Sequence, residues 1–123
     1  MGRNIEHADD LPAYGPPGHT GTRNVRLVDR DFCGRFEMVL GRILPGGVAE
    51  AHAHAEHHQV VYVVAGEAEV RLGADPPVVS GPGTVIRIPP GLVHEVRASG
   101  AATLELIVLY SPPLPPRDDV PLD

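Results

Sequence analysis

The sequence predicts an all-β domain, an antiparallel sandwich or small barrel, and three observations carry that prediction. Short runs of β-branched residues recur along most of the chain, turn signals separate them at close intervals, and no window shows a helical period. The 123 residues suit one domain rather than two. Apolar residues make up 42%, enough for a core, but with two Phe, three Tyr and no Trp that core must come from Val, Leu, Ile and Ala. Gly and Pro number 14 each; they fall between the apolar runs, where turns belong, and this favours an ordered chain.

Taken in order, residues 1–22 read as an irregular N-terminal arm, because Pro12, Pro16 and Pro17 interleave with Gly2, Gly15, Gly18 and Gly21. Residues 23–111 read as the barrel. Its expected strands are Val25–Asp29, Arg35–Leu44, Ala49–His54, Gln59–Ala65, Glu67–Leu72, Val78–Val79, Thr84–Ile88, His94–Ala98 and Thr103–Tyr110. The expected turns include Pro45-Gly46-Gly47, Ala65-Gly66-Glu67, Gly81-Pro82-Gly83 and Pro89-Pro90-Gly91. Residues 112–123 carry Pro112, Pro113, Pro115, Pro116 and Pro121 and should leave the barrel as extended chain.

Charge excludes several functions. The net charge is −6 and every basic residue is Arg, so there is no basic stripe for nucleic acid and no lysine for Schiff-base chemistry. Cys33 is alone, which excludes an intrachain disulfide and a thiolate cluster. No segment resembles a signal peptide or reaches the roughly 18 apolar residues of a membrane span. A cytoplasmic protein without membrane or nucleic-acid partners is expected.

The chemistry lies in two runs. The first, Gly46 to Gly66, has the spacing G-x5-H-x-H-x4-Q-x6-G, with His52, His54 and Gln59. The second has Gly83, Pro89, Gly91 and His94 at G-x5-P-x-G-x2-H. Residues two apart in a strand share a face, so His52 and His54 aim two imidazoles into one interior about 7 Å apart. Gln59 and His94 approach from other strands, whose register is fixed by their buried sides. An isolated His-x-His in a strand is commonly a surface accident. The coincidence of both runs on a chain of short strands points instead to one divalent metal held by His52, His54, Gln59 and His94.

These runs resemble the two motifs of the cupin superfamily, G-x5-H-x-H-x3-or-4-E-x6-G and G-x5-P-x-G-x2-H-x3-N. The match spans about Arg35 to Tyr110. It implies a cupin jelly-roll barrel, usually a bacterial homodimer, with one divalent ion per chain (Zn, Ni, Fe or Mn) and a small-molecule ligand. Two positions depart from the pattern. Ala98 stands in place of the final Asn, and Gln59 in place of the usual Glu, with His58 at the alternative x3 position. Gln59 is preferred because it alone keeps the six-residue interval to Gly66. A neutral amide leaves the metal close to its full charge, which favours Lewis-acid polarisation of an enolisable carbonyl by an isomerase, cyclase or lyase. The superfamily leaves open a small-cupin dioxygenase and a non-enzymatic metal- or ligand-binding module.

The chain is also similar to cupins that open unsaturated uronate rings, which carry two His, a Gln at this spacing and a later His. Those continue with Asp-x-Phe-Ser-Pro-Pro-Arg. Here Val108, Leu109, Tyr110, Ser111, Pro112, Pro113 and Leu114 keep the Ser-Pro-Pro turn and an aromatic, but replace the acid with Val108 and the arginine with Leu114. An apolar lining of Val61, Val63, Ile86, Val96, Leu106 and Val108 is expected, better suited to an aromatic or polyketide-like molecule than to a free sugar acid.

Proton chemistry beside the metal needs a base or acid, and the candidate catalytic residues are Tyr110, His58 and Glu56, with His57 in the same loop. Tyr110 shares a strand face with Val108, whereas Glu105 alternates to the exterior. Arg42, Arg71 and Arg87 are expected to point outward. His19 reads as a polar loop histidine rather than a residue reaching over the site, and Cys33 as a small residue before a strand.

Overall fold

The computed structural model describes residues 3–122. Its elements are a 3-10 turn at Ala8–Asp10 and ten strands: β1 (Ala13–Gly15), β2 (His19–Val28), β3 (Glu37–His52), β4 (His58–Ala65), β5 (Ala68–Leu72), β6 (Val78–Ser80), β7 (Val85–Ile88), β8 (His94–Ala98), β9 (Leu104–Ser111) and β10 (Val120–Leu122). The all-β prediction is met: no α-helix occurs among the described residues.

The sheet curls into a jelly-roll barrel because β3 serves both walls. Its first half pairs with β9, from Glu37↔Tyr110 to Ile43↔Leu104. Its second half pairs with β8, from Val48↔Arg97 to His52↔His94. Strand β9 continues into β4 and β7, whereas β8 continues into β5 and β6. Every pairing is antiparallel, so alternate residues of each strand enter the barrel. In β9 that alternation buries Leu104, Leu106, Val108 and Tyr110. They pack with Val39, Ile43, Val61, Val63, Val96 and Ala98 in one apolar cluster. Each such Val or Leu contributes about 1.5–3 kcal/mol through burial.

Three differences from the sequence expectation have clear physical reasons. Pro45-Gly46-Gly47 is not a turn between two strands but a bulge inside the 16-residue β3. Gly46 takes a φ of +82°, which glycine adopts without strain. A Cβ on Gly47 would meet the Thr20 carbonyl oxygen at 2.6 Å, so the two strands approach closely only because the residue is glycine. The expected irregular arm instead holds β1 and the start of β2, and His19↔Ala49 and Thr20↔Val48 pair with β3. The proline-rich tail does not leave the barrel. It folds back so that β10 pairs with β1, Leu114 is buried, and its N–H donates to Glu37 Oε1 at 3.0 Å.

Candidate metal centre

Four sequence-predicted residues reach one end of the barrel by different routes. His52 closes β3 and lies directly opposite His94, the first residue of β8. His54 sits just beyond the strand end expected to include it. It is held there because Gly91 N–H donates to its carbonyl at 2.8 Å, joining the histidine loop to the Pro-Pro-Gly turn. Gln59 enters on β4, opposite Tyr110 of β9 and Ile88 of β7.

The ring nitrogens of His52, His54 and His94 come within 4.8 Å of one another, a geometry that can hold a metal ion. Ring centroids are 4.9 Å apart for His52 and His54, 4.3 Å for His52 and His94, and 5.6 Å for His54 and His94. Their tautomers follow from the backbone. His52 Nδ1 lies 2.6 Å from the Glu50 carbonyl oxygen, and His94 Nδ1 lies 3.0 Å from that of Leu92. A carbonyl only accepts, so each Nδ1 carries the proton and each Nε2 keeps a free lone pair. A metal-ligating histidine is oriented by this kind of second hydrogen bond.

Burial favours the neutral form of His54 and His94. It lowers the His54 pKa to about 4, with the neighbouring His52 and His94 acting in the same direction. Burial also lowers that of His94, against a smaller raising effect of its bond to Leu92. His54 Nε2, His94 Nε2 and Gln59 Oε1 are all buried without a hydrogen-bond partner. Unpartnered buried lone pairs are costly; Gln59 and His94 line one cavity with His52, and His54 joins the two histidines in one group, a set that fits a cation.

The cavity holds about 40 Å³ and is walled by Val61, Val96, Leu106 and Val108 among others, which meets four of the six lining expectations. Val63 and Ile86 are buried in the core but do not line it. Tyr110 does line it, with its ring 5.7 Å from that of His54. Burial pushes its pKa up to about 12, although the Arg117 guanidinium beside its hydroxyl pulls the other way. A larger hollow of about 310 Å³ lies elsewhere, among Arg26, Glu37, Arg117 and Asp119. The smaller cavity is the candidate site, because Gln59 Oε1 and His94 Nε2 on its wall lack partners.

The other candidates are not brought together with this group. His58 is exposed on the outer side of β4 while Gln59 is buried, as strand alternation requires. Glu56 is exposed, and His57 approaches only His54, at 6.0 Å between ring centroids. Arg42 pairs with Glu105 at 3.2 Å outside the barrel, and Arg71 and Arg87 are exposed. Cys33 is exposed. His19 differs from its expectation: it begins β2 and lines the cavity, and its Nδ1 lies 3.0 Å from Thr22 Oγ1. Burial first, and His52 second, lower its pKa to about 4. Its only sequence signal was the polar His19-Thr20-Gly21-Thr22 run, which is equally compatible with a loop.

A family model for the cupin domain matches residues 39–110. The chain belongs to the cupin family. Among solved structures, this cupin is similar to the polyketide cyclase RemF from Streptomyces resistomycificus, with 26% identity and a TM-score of 0.78 over 100% of this chain and 87% of that one. It is also similar to KdgF from Halomonas sp., with 25% identity and a TM-score of 0.70 over 85% and 89% of the two chains. An RmlC-like cupin from Shewanella frigidimarina shares the fold, with 24% identity and a TM-score of 0.75 over 90% and 92%. No curated protein matches the sequence. Among the described residues, no helix is long and apolar enough to cross a membrane.

Proposed function

We propose that this cupin holds one divalent metal ion through His52, His54, His94 and Gln59. It then acts on an enolisable carbonyl of a small, largely apolar, polyketide-like molecule, as an isomerase, cyclase or lyase. The observation that carries this reading is the set of lone pairs without partners: His94 Nε2 and Gln59 Oε1 on the cavity that His52 also lines, and His54 Nε2 within the same three-histidine group. A bound ion supplies a Lewis acid that polarises a carbonyl oxygen.

The protein's own groups do the rest. His52 and His94 are fixed in the tautomer that offers Nε2. Gln59 contributes an oxygen without a negative charge, so the site stays electrophilic. Val61, Val96, Leu106 and Val108 keep water from the reacting end of the ligand. Tyr110, opposite Gln59, presents a phenol that donates a hydrogen bond to a developing oxyanion. A 40 Å³ cavity admits only the reacting end of a ligand, so its body lies at the mouth. Similarity to a polyketide cyclase supports the ligand class.

A homodimer belongs to the same proposal. Val60, Tyr62 and Val64 leave an apolar outer face on β4, each at least 37% exposed. Sedimentation of the purified chain at twice its monomer mass is the expected result.

Elemental analysis of the purified protein beside His54→Ala tests the metal reading. One ion per chain, lost in the variant, is expected, with Zn or Ni supporting Lewis-acid chemistry. Iron with oxygen uptake would assign a dioxygenase instead. No ion, and none gained on adding Zn, Ni, Fe or Mn, would overturn the enzyme readings.

A further inference from the structure

His19 lies within the cavity wall, outside the three-histidine group and outside every expected role. Two features of the fold put it there. In a regular strand His19 and Thr22 would face opposite sides. Here Gly21 takes a φ of +67° opposite the bulge of β3 that lies between Thr20↔Val48 and Thr22↔Ile43, and both side chains line the cavity. Bulges next to a site re-aim side chains in this way.

The second feature fixes the ring. Thr22 Oγ1 lies 3.5 Å from the Thr20 carbonyl oxygen and 3.0 Å from His19 Nδ1. The hydroxyl has one proton, and the carbonyl can only accept it. With the hydroxyl proton directed at the Thr20 carbonyl, Thr22 Oγ1 accepts from His19 Nδ1–H, and in this tautomer His19 Nε2 is an acceptor. Among the described residues Nε2 has no hydrogen-bond partner. Asn24, Gly41 and Ile43 complete the wall on this side.

We propose that His19 is a ligand-contacting residue whose Nε2 accepts a hydrogen bond from the hydroxyl of an enol or phenol bound at the metal centre. This rests on the proposed function and narrows its ligand class. The ligand carries a hydroxyl beside the carbonyl it presents to the ion, as the enol form of a 1,3-diketone does. His19 is not itself a metal ligand, since its ring nitrogens fall outside the group that gathers within 4.8 Å. The irregularity at Gly21 that brings it to the wall also makes β2 a specificity element.

The test compares wild type, His19→Gln and Thr22→Val, each loaded with Zn, for metal content and for binding of the enolic probe 1-phenyl-1,3-butanedione by calorimetry. One Zn per chain is expected in all three. His19→Gln should weaken the probe about tenfold, the change that one hydrogen bond of about 1.4 kcal/mol carries. Thr22→Val, which keeps the ring but frees its tautomer, should weaken the probe by about threefold. Unchanged probe affinity in both variants would overturn the inference while leaving the metal centre intact. Loss of Zn in His19→Gln would overturn it by making His19 a ligand. A wild type that takes up no Zn would overturn the proposed function, and this inference with it. Should His19→Gln fail to fold, Thr22→Val still decides, because its probe affinity must fall.

Discussion

Two clusters of polar side chains lie in this barrel, and they differ in how their hydrogen-bonding capacity is used. Around the larger hollow, Glu37 is buried yet accepts from Arg26 Nε at 3.3 Å and from Leu114 N–H at 3.0 Å. Arg26 also pairs with Asp119 and stacks 4.0 Å from the Tyr14 ring centroid. Even Asp119 Oδ1, which lacks a hydrogen bond, lies 3.7 Å from Arg117 Nε. These groups satisfy one another, and in doing so tie β2, β3 and the returning tail together. At the candidate metal centre the reverse holds: His54 Nε2, Gln59 Oε1 and His94 Nε2 have no hydrogen-bond partner. Buried polar groups that cannot pair within the protein destabilise it, and this cost supports the proposed metal as their partner. The size of a cavity is a poorer guide than the pairing of its walls.

Breaking each cluster in turn separates the two roles, and the largest effect belongs to the metal centre. His94→Ala should weaken Zn binding by more than about 100-fold, beyond the roughly 10–100-fold typical of losing an outer partner. Isothermal titration checks this. Glu37→Ala should leave Zn stoichiometry intact but destabilise the fold by about 2–3 kcal/mol, because Leu114 N–H and Arg26 lose their acceptor. Urea unfolding reads that loss.

Acid sharpens the comparison. His19 and His54 hold pKa values near 4 in the fold against 6.5 when unfolded. As pH falls below 6.5 the unfolded chain takes up protons first, so the metal-free protein should lose stability progressively down to about pH 4. Denaturation midpoints collected across that window should slope accordingly, and Zn should steepen the slope, because the metal-bound native state takes up fewer protons.

A smaller effect is expected at Gln59. Gln59→Leu should weaken Zn about tenfold without lowering the stability of the metal-free protein, since it removes an unpartnered oxygen. The smallest is Glu105→Ala on the outer surface, expected to cost less than about 1 kcal/mol because its pair with Arg42 is partly exposed.

The positions of the strands along the chain and much of the candidate site were legible because they depend on local rules. Period-two alternation puts Gln59 inward and His58 outward, and turn residues bracket β4 through β9. The spacing of His52, His54 and His94 brought their proximity within reach of the sequence. What escaped depends on long-range pairing. A Pro-Gly-Gly run reads locally as a turn, and only the partners Val48 and Ile43 across from β2 reveal a bulge within one strand. The tail's prolines read as extended chain, which is correct locally, but nothing near Leu114 signals Glu37 as its partner or β1 as the partner of β10. His19 escaped for the same reason, because the β3 bulge opposite Gly21 bears on which way it faces.

Anomalous diffraction from crystals soaked in Zn tests the metal centre most directly. The expected result is one strong peak per chain, bounded by Nε2 of His52, His54 and His94 and by Oε1 of Gln59. Zn found only at the exposed edge, on His57 or His58, with no peak in the cavity, would contradict it.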